Sequence, residues 1–427
     1  MKSLADIAAA LQGYDPQALS VAQVGHFLTE LAQPLSANEA QDIPLFEGLG
    51  RVLAQDVISP IHVPPHNNSA MDGFAFDGRQ LSPTQALHLR VVGTALAGKA
   101  WQGRVQAGEC LKIMTGAILP EDLDTVAPQE LCQVDSEAGA TRVTLPAGLF
   151  KPGDNRRLQG EDLMQGHAAL TAGAHLTPAA LGLVASLGQP TVRVHRRLRV
   201  AYFSTGDEIL SLGETPREGA VYDSNRFTVF GLLTRMGCEV IDLGVVRDDP
   251  LLLEAAFAKA ATQADAIITS GGVSVGDADF TKAMMKKLGD VAFWKIAMRP
   301  GRPMAVGRLG NSVLFGLPGN PVAVMVTFLA FVRPALLRMM GSTAPTPPLL
   351  RAKSLEALRK KPGRTEYQRG TVSTAADGSL QVRTTGNQGS GVLSSMVQGN
   401  GLIVLHHAQG NVAIGDEVDV MVFEGVV

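Results

Sequence analysis

The 427-residue sequence is poor in cysteine and in net charge, and each shortage excludes a class of protein. Its three cysteines, Cys110, Cys132 and Cys238, are far apart and form no C-x-x-C pair, which excludes a disulfide framework and favours a reducing compartment. With 37 basic and 40 acidic residues, the net charge is −3. A nearly neutral chain has no global positive field, so we expect no nucleic-acid partner.

Long apolar runs are also lacking. The longest covers residues 322–332 and ends at Arg333 and Pro334, so it is too short to span a bilayer. Near the N-terminus, an acidic residue interrupts the short apolar run and no cleavage site follows, which is not typical of a signal peptide. We therefore predict a soluble, cytoplasmic protein with no membrane partner.

Glycine, by contrast, is abundant. It accounts for 46 of the 427 residues, which is about 11% against an average of about 7%. This excess predicts many tight turns, or a backbone that approaches a ligand closely. At roughly 150 residues per domain, the length indicates about three domains.

The N-terminal part combines helical and β patterns. Residues 20–32 have helical periodicity, with Ser20 and Gln23 as a capping box, and residues 178–187 form a second helical segment. Between them, short alternating runs such as 87–92 and 141–145 indicate strands. We predict a discontinuous helical domain, 1–62 plus 158–190, that carries a β-rich insertion domain, 63–157.

From residue 198 onward, apolar strands alternate with helices, which predicts a three-layer α/β domain with a mainly parallel sheet at 191–340. A Pro-rich linker starts at Gly341, and short alternating strands beyond it predict a small β-barrel at 341–427. The predicted α/β elements are strands 198–203, 239–246 and 266–269, a helix capped by Ser224, and a helix at 250–263 capped by Asp249.

The loop after strand 266–269 reads SGGVSVGDADFTK and suits a phosphate. Glycines let backbone amides approach an anion, and carboxylates beside such a loop suit Mg²⁺. A Gly-rich turn with Asp279 as a helix cap is an equally good interpretation of this loop alone. The candidate ligand-binding residues here are Ser270, Gly271, Gly272, Ser274, Gly276, Asp277 and Asp279.

Other strand ends carry similar groups. GLPGNPVAV places another helix N-terminus at the same edge of the sheet, with Asn320 as a possible cap. FSTGDEIL and VRDDP add Glu208 and Asp248. Because the carboxyl ends of parallel strands form one crevice, this convergence favours a phosphate and metal site over four unrelated turns. The candidates from the GLPGNP loop are Pro318, Gly319, Asn320 and Pro321.

Three further segments carry candidate residues. AMRPGRPMAVG places Arg299 and Arg302 on either side of a Pro-Gly turn, where two guanidinium groups can bind an oxyanion. Solvated arginines on a hairpin are the alternative interpretation. In the insertion, NNSAMDGFAFD contains Asp72 and KIMTGA contains Thr115, and RRLQGEDL, at its end, contains Asp162.

Two apparent motifs are rejected. GTALAGKA nearly matches a Walker A loop, but Ala100 replaces the Ser or Thr that Mg²⁺ requires. His62 and His66 are four residues apart, but Pro64 and Pro65 exclude the helix that would align them as zinc ligands.

Together, the motifs NSAMDG, MTGA, RRLQGED, STGDE, SGGVSVGDADFTK, RPGRP and GLPGNP resemble those of the MoeA family, the molybdopterin molybdenumtransferases of molybdenum-cofactor biosynthesis. They occur in the family's order over residues 60–330, and the chain is also similar to the E domain of gephyrin. SGGVSVG alone would also resemble stand-alone molybdopterin adenylyltransferases and CinA-like proteins. NSAMDG, MTGA and the C-terminal β domain distinguish the MoeA family from these.

The resemblance implies a four-domain protomer in a homodimer, with a cleft shared between the α/β domain of one subunit and the β insertion of the other. It implies that molybdenum from molybdate is inserted into adenylylated molybdopterin and that AMP is released, with Mg²⁺ held by Glu208, Asp248 or Asp279. It also implies partners: a molybdopterin adenylyltransferase and downstream cofactor-maturation proteins. The positions that match functional residues of the family are Asp72, Thr115, Asp162, Glu208, Asp248, Asp279, Pro318 and Pro321.

The chain departs from the family pattern at a few positions. Arg299 and Arg302 stand where lysines are common, which keeps the charge but changes the geometry. Ala323 replaces a frequent serine and removes a hydroxyl contact to molybdate, and Phe74 replaces a common tyrosine. Two other functions are weighed against molybdenum insertion: a molybdopterin adenylyltransferase, and a non-catalytic scaffold that binds molybdopterin or a partner peptide.

Overall fold

The structure is a computed structural model that describes residues 2–137, 139–273 and 280–423. The chain forms two compact units. The first consists of Met1–Gln55, Ala172–Thr177 and Val192–Val427, and the second of Asp56–Thr171 and Pro178–Thr191. The division into four domains remains a prediction.

The second unit is built on a six-stranded sheet, as the alternating runs predict. The predicted strands 87–92 and 141–145 lie within Leu87–Ala95 and Ala140–Leu145. Buried Phe74, Phe76 and Val143 pack together on this sheet. In spatial order, its strands are Thr125–Pro128, Gly73–Phe76, Glu109–Ile113, Leu87–Ala95, Ala140–Leu145 and Gln133–Glu137. The unit also contains the short pairs Asn68–Ser69 with Arg156–Arg157 and Val57–Ile58 with Ala168–Leu170, and the helix Pro178–Ser186.

The first unit contains a second six-stranded sheet, and it confirms the predicted α/β class. Its first four strands are parallel, the fifth is antiparallel to the fourth, and the sixth is antiparallel to the fifth. From one edge to the other, the strands are Glu239–Val246, Arg199–Thr205, Ala266–Ser270, Ser312–Leu317, Pro303–Leu309 and Asp290–Lys295.

Both faces of the three central parallel-sheet strands, Arg199–Thr205, Ala266–Ser270 and Ser312–Leu317, are buried, which explains their long apolar runs. Val200 and Tyr202 of the strand Arg199–Thr205 pack towards the helix Ser224–Arg235. Ala201 and Phe203, which alternate with them, pack towards the helices Pro250–Gln263 and Phe280–Leu288. Side chains alternate between the two faces of a strand, so this one strand connects both helical layers.

The helix Ser224–Arg235 differs from its prediction in its cap. Asp223, not Ser224, is the N-cap, and its Oδ1 accepts a hydrogen bond of 3.1 Å from the Arg226 amide. Ser224 is already the first helical residue. The predicted cap of the helix Pro250–Gln263 is confirmed, because Asp249 Oδ1 accepts from the amides of Leu251 and Leu252.

The N-terminal helices Leu4–Ala10 and Val21–Leu31 belong to the same core. The predicted capping box is confirmed: Ser20 Oγ accepts from the Gln23 amide at 3.2 Å, and Gln23 Oε1 accepts from the Ser20 amide at 2.9 Å. Phe27 meets Trp294 of the sheet edge to face, with ring centroids 4.8 Å apart.

The long apolar segment lies in a helix that continues beyond the apolar run. The apolar run ends at Arg333, but the helix continues through a π turn, Phe328–Val332, to Met339, just before the linker predicted at Gly341. By length and composition alone, this helix of 19 residues could cross a membrane. However, 72% of its apolar 18-residue stretch is buried inside the protein. The wider π turn lies just before Pro334, whose ring would clash in a regular α-helix.

A closed five-stranded barrel follows and confirms the predicted C-terminal fold. Ala352, Val382 and Ile403 form part of its core. The short strand Met298–Arg299 pairs with the start of the barrel strand Thr365–Thr374, at Thr365 and Glu366. Around the barrel, the strands are Thr365–Thr374, Leu380–Thr384, Leu350–Ser354, Glu417–Val422 and Gly401–Leu405.

Candidate functional site

A cavity of about 770 Å³ opens in the first unit at the carboxyl ends of the parallel strands. This is the edge at which doubly wound sheets bind ligands. The predicted site residues that line it are Glu208, Ser270, Gly271, Gly272, Arg299, Pro318, Gly319, Asn320 and Pro321. Ala323 also lines the cavity.

The other predicted residues fall into three groups. Asp248 and Arg302 belong to the same unit but are not among the residues that line the cavity. Asp72, Thr115 and Asp162 belong to the second unit. The remaining candidates, Ser274, Gly276, Asp277 and Asp279, lie outside the described residues.

The turn after strand Ala266–Ser270 strongly favours glycine at two positions. Gly271 and Gly272 have φ of 89° and 63°, the left-handed region that side chains disfavour. A Cβ on Gly271 would lie 2.5 Å from the Thr205 carbonyl oxygen, and one on Gly272 would lie 2.4 Å from the Thr281 side chain. Because these glycines have no side chain, Thr205 and Thr281 can pack directly against the turn at the wall of the cavity.

A cluster of hydroxyl groups lies at the base of the cavity. The Tyr202 hydroxyl is 2.9 Å from Ser204 Oγ and 2.7 Å from Ser270 Oγ, and the two serine oxygens are 3.2 Å apart. Burial raises the pKa of Tyr202, so the cluster is neutral. Tyr202 and Ser204 were missed because the strand reads as purely structural, although its alternation places both on one face.

Three buried acceptors beside the cavity have no hydrogen-bond partner among the described residues: Thr205 Oγ1, Asp223 Oδ2 and Asn225 Oδ1. Asp223 and Asn225 are 4% and 8% exposed. Unpaired buried acceptors are costly and rare, and functional sites are one of the places where they occur. From the sequence, only Ser224 is assigned a role here, as a helix cap, so the place of residues 221–225 in the wall is not predicted.

The Asn225 side chain also ties two loops together. Its Nδ2 donates to the Gly319 carbonyl oxygen at 2.7 Å. Asn320, in contrast, is the N-cap residue of the next helix but makes no side-chain capping bond, so the predicted cap contact is not formed. Its exposed side chain lines the cavity instead.

Part of the wall comes from the C-terminal barrel, through Gln388, Ser390 and Gly391. Arg369, only 1% exposed, holds this loop. Its guanidinium donates to the Gly389 carbonyl oxygen and to Ser395 Oγ, both at 2.9 Å. Burial, and secondarily the charge of nearby Arg299, lower the pKa of Arg369. No local pattern links these residues to the sheet, so the sequence did not indicate them.

Glu208 is exposed at the rim, on a segment tied to its neighbours. Its carbonyl oxygen accepts from the Val221 amide at 2.9 Å. The adjacent Asp207 Oδ1 accepts from the Asp248 amide at 3.3 Å, which brings the two predicted acidic loops together. Within the described part of the chain, no group of three or more His, Cys, Asp or Glu side chains is arranged to hold a metal ion.

In the second unit, Asp72 and Thr115 form one cluster. Asp72 Oδ1 accepts from the Thr115 amide at 2.6 Å and from its hydroxyl at 2.7 Å. These two bonds, the backbone bond foremost, lower the pKa of Asp72. Asp162 is exposed, and its amide donates to the Val63 carbonyl oxygen at 3.1 Å.

Three family descriptions match the chain in succession. They are the MoeA N-terminal region (domain I and II) at residues 19–188, the "Probable molybdopterin binding domain" at 201–338, and the MoeA C-terminal region (domain IV) at 351–423. A molybdopterin molybdenumtransferase of Haemophilus influenzae is 43% identical over 90% of this chain and 94% of its own length. One of Nostoc sp. is 34% identical over 96% and 95%.

Solved structures agree with these matches. The crystal structure of a molybdopterin biosynthesis MoeA protein from Pyrococcus horikoshii has a TM-score of 0.73 and 28% identity, covering 95% of this chain and 99% of that one. A second structure from that organism, 24% identical with a TM-score of 0.80, supports the fold. The chain therefore belongs to the MoeA family.

Proposed function

We propose that this protein is a molybdopterin molybdenumtransferase. It takes adenylylated molybdopterin and molybdate, inserts the metal at the dithiolene and releases AMP. The observation that carries the proposal is the large cavity at the carboxyl edge of the α/β sheet, lined by the glycine turn, Glu208 and Arg299, in a chain similar to molybdopterin molybdenumtransferases over nearly its full length. The enzyme works in the cytoplasm as a homodimer.

The cavity wall suits an anionic substrate. The glycine turn at Gly271 and Gly272 lies at the wall, where its backbone can approach a phosphate. Arg299 provides a fixed positive charge at the same wall and binds molybdate, with buried Arg369 close behind it. Arg302 adds charge outside the lining. Ala323 offers no hydroxyl, so molybdate binding relies more on the arginines here.

The acidic loops fit a hard cation. Glu208 supplies carboxylate oxygens at the rim, and the bond between Asp207 and the Asp248 amide places the second acidic loop beside it. Oxygen donors of this kind suit Mg²⁺, which binds to one or two carboxylates together with substrate phosphates. We assign Mg²⁺ to Glu208, Asp248 and Asp279. When bound, the cation would neutralise charge that develops on the phosphates as AMP leaves.

The β insertion completes the cleft of a second subunit. Asp72, Thr115 and Asp162 would then face the cavity of the neighbouring protomer, as the family resemblance implies. A molybdopterin adenylyltransferase supplies the substrate, and downstream cofactor-maturation proteins take up the product.

The test is direct. Purified protein incubated with adenylylated molybdopterin, molybdate and Mg²⁺ should release AMP and yield cofactor that activates a molybdenum-free apoenzyme. EDTA should abolish AMP release. Glu208→Gln should slow it by at least roughly tenfold, whereas the matched control Glu218→Gln, an exposed residue off the cavity wall, should not.

Two outcomes would contradict the proposal. ATP-dependent adenylylation of molybdopterin by this chain alone would identify an adenylyltransferase. Tight binding of molybdopterin with no AMP above a protein-free control would identify a scaffold.

A further inference from the structure

One aromatic side chain stands out at the mouth of the cavity. Among the described residues that line it, Tyr222 alone carries an aromatic ring. The residue is 43% exposed. A tyrosine that served only to fill the core would be buried, as Tyr202 is at 1%. The ring of Tyr222 therefore presents apolar surface to the cavity and to solvent.

The position of Tyr222 is held on several sides. Its hydroxyl donates to the Glu214 carbonyl oxygen at 2.7 Å. The residue before it donates its amide to Glu208, and the residue after it, Asp223, donates its amide to Leu210 at 3.0 Å. Asp223 in turn caps the helix Ser224–Arg235. A ring whose tip and backbone are both anchored loses little further entropy when a ligand packs on it.

An anchored, partly exposed ring in a glycine-rich cavity suits a flat, aromatic ligand group. Stacking uses the π-face that every such ring has, so it needs no hydrogen-bond match. The glycine turn and Arg299 account for the anionic groups of a substrate, and Tyr222 adds an aromatic face on which a planar ring can stack.

We propose that Tyr222 stacks on a planar heteroaromatic ring of the substrate, and so acts as a binding and positioning residue. This inference rests on the proposed function, which makes the ring either the pterin or the adenine of adenylylated molybdopterin. Both rings offer the same stacking chemistry, and the test distinguishes between them.

The test compares three variants with the wild type. Tyr222→Leu keeps apolar bulk but removes the ring, Tyr222→Phe keeps the ring but removes the bond to Glu214, and Phe230→Leu alters an exposed aromatic that does not line the cavity. Binding of adenylylated molybdopterin is measured by isothermal titration calorimetry, and turnover by AMP release. Circular dichroism and thermal unfolding check that each variant is folded.

We expect Tyr222→Leu to weaken substrate binding by about 5- to 20-fold, the lower part of the range for stacking on one aromatic ring. The KM should rise by a similar factor while kcat stays within about twofold, because stacking binds the ground state and transition state alike. Tyr222→Phe and Phe230→Leu should stay within about twofold of the wild type. Equal affinities for the Leu variant and the wild type would overturn the proposal.

AMP as a competing ligand identifies the ring. Weaker binding of AMP to Tyr222→Leu would place the adenine on Tyr222, and unchanged AMP binding with weaker substrate binding would place the pterin there. Because affinity is measured separately from turnover, the two hypotheses fail in different ways. A wild type that binds substrate without releasing AMP contradicts the proposed function, whereas an active wild type with an equally tight Leu variant contradicts only the stacking.

Discussion

Asp72 shows how a single side chain is tuned by one neighbour. Thr115 donates to it twice, through its amide and its hydroxyl, although the two residues are 43 positions apart. Both bonds favour the carboxylate over the carboxylic acid, so the pKa of Asp72 is lowered. The stabilisation that this gives is present above the ordinary aspartate pKa and is lost as the pH falls through the lowered one.

Thr115→Val should therefore raise the pKa of Asp72, but only part of the way to its ordinary value. The variant removes the hydroxyl donor and keeps the backbone amide, which is the larger cause of the shift. The carboxyl carbon of Asp72 in labelled protein reports this in an NMR titration. Thr141→Val, in the same sheet, is the control and should leave the titration unchanged. If Asp72 titrates identically in the Thr115→Val protein and in the wild type, the Thr115 hydroxyl contributes nothing to the lowered pKa.

At the scale of elements, the glycine turn after strand Ala266–Ser270 depends on the contacts of its neighbours as well as on its own backbone. Gly272 and Gly310 both have positive φ, at 63° and 57°. A Cβ on Gly272 would collide with Thr281, but one on Gly310 would meet nothing within 4 Å. The two glycines thus share the backbone strain and differ in the steric clash.

Gly310→Ala should lower the free energy of unfolding by about 1–2 kcal/mol, the cost of a side chain in the left-handed region. Gly272→Ala should lower it by a further ~1–3 kcal/mol through overpacking, and should also reduce AMP release because it displaces the cavity wall. Urea unfolding compares the two variants. If both lose the same stability, close packing at Gly272 is not what requires glycine there.

Most element types and many bounds follow from the sequence, because they depend on local periodicity. The strand Glu239–Val246 and the helix Pro250–Gln263 agree with their predictions at both ends. The errors lie at positions where tertiary contacts compete with local rules. Ser224, for example, does not cap its helix, because Asp223 accepts the bond from the Arg226 amide while it also lines the cavity.

At the scale of the whole molecule, the proposed dimer leads to a complementation test. If the cleft combines the α/β domain of one subunit with the insertion of another, Asp72→Ala and Glu208→Ala damage different halves of the same site. Each variant alone should be inactive. After mixing and subunit exchange, about half of the dimers are mixed and each regains one intact site of two, which restores about a quarter of wild-type AMP release.

The control mixes two variants of the same half, Glu208→Ala with Gly271→Ala, and should restore nothing. Failure of the first mixture to recover activity, with subunit exchange verified by mass spectrometry, would show that each protomer carries a complete site.

The sequence by itself determined the alternation of strands and helices, the two-sided burial of the parallel sheet and the motifs that indicate the family. These are local properties: side-chain period, turn chemistry and short runs of specific residues. It also placed Glu208, Gly271 and Pro318 at strand ends, and right-handed crossovers bring such ends to one edge.

Only the tertiary structure decided which distant segments close the cavity. The loop that carries Gln388 comes from the barrel, and Arg369 holds it there through bonds that no local pattern predicts. The surroundings of Asp223 and Asn225, whose acceptors find no partner in the described part of the chain, and the anchored ring of Tyr222 likewise depend on contacts between loops. Contacts between residues far apart in the chain depend on how complete elements pack, so local propensity does not reveal them.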